Sequence, residues 1–215
     1  MSETMPIPAA PGRAGWNPVG WSRRDRLLVA LSLALLAVSF MLAAGLRGHS
    51  PKVVIAALEA RGVSVDERIA RLPVSVRRSL LCVALNVLME ARGEPNAGQI
   101  GVAWVTRTRA DERDLSPCEV VFETSQFSWT SYPLSRIVRT AAANQETLLE
   151  AQDWAWKVMV ENVPDPTKGA NHFWAHRMMR PPAWARRAIP GTRVVIGGHT
   201  FVRIAARRFP WIGQP

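Results

Sequence analysis

Negative charge is scarce in this chain. Its 17 Asp and Glu residues stand against 27 Lys and Arg, a formal net charge of +10 at pH 7 over 215 residues. Such a balance implies an acidic partner: nucleic acid, anionic lipid or an anionic cell envelope. The arginines are scattered, however, and no basic helix, zinc-finger spacing or other nucleic-acid motif can be read, so nucleic acid is set aside. Cysteine is limited to Cys82 and Cys118. With no Cys cluster and no HExxH sequence, neither zinc nor any other cofactor is expected.

Charge is missing altogether from one stretch. Residues 27–46, LLVALSLALLAVSFMLAAGL, carry no ionisable group, and about 20 apolar residues are enough to cross a bilayer as a helix. The Pro- and Gly-rich residues 1–26 before it read as a flexible tail holding Arg13, Arg23, Arg24 and Arg26. Under the positive-inside rule, that bias places the N-terminus in the cytoplasm. The expectation is a single-pass signal-anchor in the inner membrane with everything beyond it in the periplasm or outside. A cleaved signal peptide is the competing reading, since Ala43-Ala44-Gly45 offers small residues, but the apolar run exceeds an ordinary h-region. In an exported domain, Cys82 and Cys118 are a candidate disulfide; in a cytoplasmic one they would be ordinary buried thiols.

The remainder is long enough, and at 48% hydrophobic residues apolar enough, to bury a core. Residues 47–73 are expected to form stalk or linker helices, Lys52 to Arg61 and Asp66 to Leu72, with packing onto the domain as the equal alternative. Residues 74–206 are then the catalytic domain and 207–215 a C-terminal tail. Within the domain, Leu80 to Arg92 reads as a helix with Ser79 as cap and Gly93 and Pro95 as its stop. Leu81, Ala84, Leu85, Leu88 and Met89 cover one side, while Cys82, Asn86 and Glu90 form a second stripe at i, i+4. A glutamate in the last turn of an apolar helix is anomalous: burial and the helix C-terminus both raise its pKa, as a general acid requires. Pairing with Arg92, Arg107 or Arg109 is the structural alternative.

Asn96 with Gln99 has the form of a capping box opening a second helix through Ile100, Ala103, Trp104 and Arg107, so that Arg92 to Pro95 joins a helical hairpin. Glu94 lies in that loop, either orienting Arg92 or a substrate, or simply solvated. Gln126-Phe127-Ser128-Trp129-Thr130 mixes rings with amide and hydroxyl groups, suiting either a glycan cleft or a core. Thr147 to Glu161 reads as a long helix. From Asn171 the pattern becomes extended, and Gly197-Gly198 between two β-rich runs signals a hairpin. The expected architecture is mainly α with a small antiparallel β-sheet.

The motifs Glu90-Ala91-Arg92-Gly93-Glu94-Pro95, Gly98-Gln99-Ile100, Ser116-Pro117-Cys118-Glu119-Val120-Val121, Gln126 to Thr130, Gly169 to Phe173 and Gly198 to Phe201 occur in order over about 130 residues. Together they resemble the cell-wall hydrolases of the spore-cortex lytic enzyme type (SleB/CwlJ-like). The resemblance implies a lysozyme- or lytic-transglycosylase-like fold and cleavage of peptidoglycan between N-acetylmuramic acid and N-acetylglucosamine. It places Gln126, Phe127, Ser128 and Trp129 at the substrate cleft, where Glu90 is the expected general acid and Asn86, Glu94, Gln99, His172 and Trp174 are further expected substrate-binding residues. Two other classes stay open: a metal-dependent amidase or endopeptidase using His172 and His176, and a non-enzymatic wall-binding lysis accessory.

Overall fold

The computed structural model describes residues 27–33, 35 and 49–205. The 1–26 and 207–215 tails, and most of the expected 27–46 membrane segment, lie outside the described residues. Leu27 to Leu33 and Leu35 are helical and exposed. Among the described residues no helix is long and apolar enough to cross a membrane.

Pro73 sets the start of the central helix. Its extended conformation (φ −52°, ψ 144°) precedes α3, Val74–Ala91, which therefore begins earlier than the Leu80 start expected from a Ser79 cap. Ser79 lies inside the helix because residues 74–79 contain no Gly or Pro to delay it. From Leu80 to Leu88 every residue of α3 is buried, so this helix is enclosed on all sides. It ends where Arg92 turns extended and Gly93 adopts φ 85°, a conformation that favours glycine.

The partner helix α4, Asn96–Arg113, begins after Pro95, and Asn96 makes no side-chain cap. Gln99 Nε2 instead donates to the Glu94 carbonyl at 3.1 Å, closing the turn between the helices. α5, Pro117–Phe122, does have a capping box, between Ser116 and Glu119. The disulfide Cys82–Cys118 ties it to α3. After Pro133 comes α6, Leu134–Ala143, and then α7, Gln145–Trp156, which continues as a π-helical turn, Lys157–Glu161, ending at left-handed Asn162. The single helix expected over 147–161 is thus an α-helix whose last turn is widened.

Of the 47–73 stretch, the described residues 49–73 pack as part of the domain rather than standing off it as a stalk. α1, Pro51–Ala60, and α2, Glu67–Ala70, supply Val54, Ile55, Leu58 and Ile69 to the same core as Leu85 and Val87. Fully buried Gln152 fixes the link between them: it accepts from the Asp66 amide at 2.8 Å and donates to the Ser64 carbonyl at 3.0 Å.

The sheet is three-stranded and antiparallel, in the order β1–β3–β2, with β1 at His172–Ala175, β2 at Val194–Ile196 and β3 at His199–Val202. β3 is buried throughout. It lies against α4 at Gly101, where an added Cβ would come within 2.8 Å of the Phe201 ring and 2.9 Å of Thr167 Cγ2.

Candidate active site

Glu90 occupies the last turn of α3, half-buried, and among the described residues its carboxylate has no hydrogen-bond or ion-pair partner. Burial pushes its pKa up to about 7, against the opposing charge of Arg109. None of the three arginines that could have neutralised it forms an ion pair with it. Arg92 is exposed. Arg107 donates to the Val158 carbonyl at 2.6 Å and to Asn162 Oδ1 at 2.8 Å. Arg109 donates from Nε to the Asn171 carbonyl at 2.5 Å and from Nη1 to Gln126 Oε1 at 3.3 Å. A carboxyl group with a pKa near 7 is substantially protonated at neutral pH, which lets it act as a proton donor.

Arg109 was not expected to be a site residue beyond its possible pairing with Glu90. It is only 8% exposed, and burial lowers its pKa to about 10, so it keeps its charge at neutral pH. The signal was available: Arg109 continues the buried face of α4 through Val102, Val105 and Thr106, and a charge on an apolar stripe is the anomaly that marked Glu90. Its guanidinium lies 5.3 Å from the centre of the Phe127 ring, which in turn sits against Phe173.

Arg109 also lines a cavity of about 390 Å³ together with Gln126, His172, Arg187, Glu112 and Glu123. Glu90 does not line that cavity, but the charge of Arg109, which does, acts on it. His172 is held down to about 4 by burial, reinforced by the charges of Arg109 and Arg187, and is therefore neutral. Its ring lies 5.1 Å from Trp184 and its Nδ1 is 2.9 Å from Asn171 Oδ1.

Other expected cleft residues have scaffold positions. Asn86 is 0% exposed and Trp129 2%. The Trp129 indole donates to Asn86 Oδ1 at 3.0 Å, and Asn86 Nδ2 donates to Thr106 Oγ1 at 3.1 Å, joining α3, α4 and the 3₁₀ turn Ser128–Ser131. A sugar ring cannot reach either side chain. Trp174, 5% exposed, is buried in a small second core with Ala185, Val202 and Ile204, packed edge-on against Trp184. Gln99 is buried at the start of α4, whereas Ser128 and Gln126 are exposed.

Glu94 is not a solvated loop carboxylate. It accepts from the Gly198 amide at 2.6 Å and lies 3.8 Å from His199 Nδ1. Burial holds His199 below its ordinary range, so it is neutral at neutral pH and that contact is not an ion pair. Glu123, its pKa lowered by hydrogen bonds from Arg113, is bound to that guanidinium at 2.6 and 2.7 Å. His172 opens β1 and His176 follows its end. Four residues of extended chain span about 13 Å, and the two rings bond different partners, Asn171 and Thr200. They do not form a metal pair.

The cell wall hydrolase family model matches residues 93–202, half of the chain, beginning three residues after Glu90. The chain belongs to the cell wall hydrolase family. Among solved structures, it is similar to the crystal structure of the catalytic domain of the Bacillus cereus SleB protein. The identity is 22%, over 59% of this chain and 91% of that one, with a TM-score of 0.39. Comparison with curated proteins gave no match.

Proposed function

We propose that this protein cleaves the glycan strand of peptidoglycan between N-acetylmuramic acid and N-acetylglucosamine, with Glu90 as the acid that protonates the glycosidic oxygen. The observation that carries this reading is a desolvated carboxyl group, without a partner among the described residues, at the end of an enclosed helix, in a chain of the cell wall hydrolase family.

The choice between hydrolysis and transglycosylation turns on a second carboxylate. Glu94 is engaged with the Gly198 amide, Glu123 with Arg113, and Glu112 with Arg203 and Asn171. Their engagement favours a lytic transglycosylase route with one acid/base. As the C1–O4 bond breaks, Glu90 gives its proton to O4. The resulting carboxylate then takes the proton of the muramic 6-hydroxyl as that oxygen bonds to C1, leaving an anhydro end. In a muramidase route, water would take the place of that hydroxyl. The apolar residues 27–46 would anchor the enzyme in the inner membrane, with its N-terminus in the cytoplasm and the domain outside.

Mass spectrometry of products from digested sacculi tests the reaction. Anhydro-muramyl ends are expected; reducing ends would replace transglycosylation by hydrolysis. Cut stems on intact glycan would overturn the reading. A reporter fused after Arg47 should be active outside the cytoplasm, and activity confined to the cytoplasm would refute the anchor.

A further inference from the structure

The cavity beside Arg109 carries positive charge that the fold does not use. Of the two carboxylates lining it, Glu123 is bound by Arg113 through two hydrogen bonds, and Glu112 is bound by Arg203 and by Asn171 Nδ2. Two cations are left over. Arg187, at the end of the 3₁₀ turn Ala183–Arg187, is exposed and has no hydrogen bond or ion pair among the described residues. Arg109 spends Nε and Nη1 on Asn171 and Gln126, while its Nη2 meets no acceptor among the described residues. A buried guanidinium with one unengaged nitrogen, and a second guanidinium without an ion pair among the described residues on the same lining of about 390 Å³, supply the charge-assisted donors that a carboxylate takes. His172, neutral on the same lining, adds a hydrogen-bonding ring without adding charge.

We infer that this cavity is a subsite for a carboxylate of the peptide stem carried by the glycan, held between Arg109 and Arg187. The inference rests on the glycan-cleaving reading above and extends it from the sugar to its substituent. Neutral glycan offers nothing to two unpaired guanidiniums, whereas the stem brings carboxylates to the muramic residue at which the strand is cut. Because Arg109 acts electrostatically on Glu90 and also lines the cavity, a stem carboxylate seated there would share one guanidinium with the proton donor. The subsite would therefore select stem-bearing strands.

The test compares glycan strands bearing stems with the same strands after an amidase has removed them and the lactyl carboxylates it exposes have been capped as neutral amides, using the full chain and its Arg187→Gln variant. Arg187 is exposed, so the variant should unfold at the wild-type temperature. The wild type is expected to cleave stem-bearing strands with a kcat/KM about tenfold higher than stripped ones, as for loss of one charge-assisted contact. Arg187→Gln should remove most of that preference through KM while leaving the stripped-strand rate unchanged. Equal wild-type rates on both substrates, or an equal loss on both in the variant, would overturn the subsite and leave the glycan reading standing. Failure of the wild type to cut either strand would overturn the glycan reading itself.

Discussion

Replacing Glu90 with Gln should make the protein inactive and, above neutral pH, more stable. The side chain keeps its shape and loses its charge. In the native protein Glu90 titrates at about 7 instead of 4.5, because burial disfavours the carboxylate. The folded state therefore holds a proton that the unfolded chain releases. Stability is greatest below pH 4.5, falls as pH rises towards 7, and levels off above that. Each pH unit of displaced titration is worth about 1.4 kcal/mol, so the cost of ionising Glu90 in place reaches about 3 kcal/mol. Glu90→Gln never bears it. At pH 8 the variant should exceed the wild type by up to about 3 kcal/mol, or about 2 to 4 °C in Tm per kcal/mol for a domain of this size. At pH 4 that advantage should be gone. Urea denaturation at both pH values measures the difference. Glycan cleavage should fall by about 10² to 10⁴-fold, and wild-type cleavage should decline as pH rises above about 7. A variant whose stability relative to wild type did not depend on pH would refute the desolvation argument, whatever its activity.

Asn86→Ala should cost about 2 to 4 kcal/mol, because it leaves the Trp129 indole N–H buried without an acceptor. KM for glycan should stay near wild type; a raised KM in a stably folded variant would return Asn86 to the cleft. Replacing Cys82 and Cys118 together by Ser should lower stability by about 4 kcal/mol in the chain-entropy model without altering cleavage by the folded protein, as thermal denaturation and a turnover assay would show. Arg177, Arg180, Arg186, Arg187 and Arg193 are all exposed and none forms an ion pair among the described residues. Binding to purified sacculi should accordingly weaken as salt rises, since exposed charges act over about 8 Å at physiological ionic strength. Salt-independent binding would assign these arginines to solvation alone.

The features legible in the sequence were those set by local rules. The helix stop at Gly93 and the hairpin at Gly197-Gly198 each depend on residues close together in the chain. Glu90 was legible too, because one charge on an otherwise apolar helix stands out at 3.6-residue spacing. What escaped was set by distant partners. Trp129 could have faced a sugar or the core, and only the arrival of Asn86 from 43 residues away decides for the core. Glu94 looked solvated because its acceptor role depends on Gly198, which the helical hairpin itself does not contain. The start of α3 was misjudged because Ser79 is a good cap in isolation, whereas Pro73 upstream had already begun the helix.

That Glu94 contact also bears on when the protein becomes competent. The hook joins residues 104 positions apart, and an added Cβ at Gly197 would fall within 2.7 Å of Pro95, so the hairpin tip is seated directly on the turn that follows Glu90. A chain made from its N-terminus completes the α3–α4 hairpin and the Cys82–Cys118 loop long before β3 exists. Until β3 docks, Phe201 cannot cover Gly101, and the loop after the acid has nothing to lean on. An enzyme that damages the wall would thus stay unassembled while its chain is still emerging.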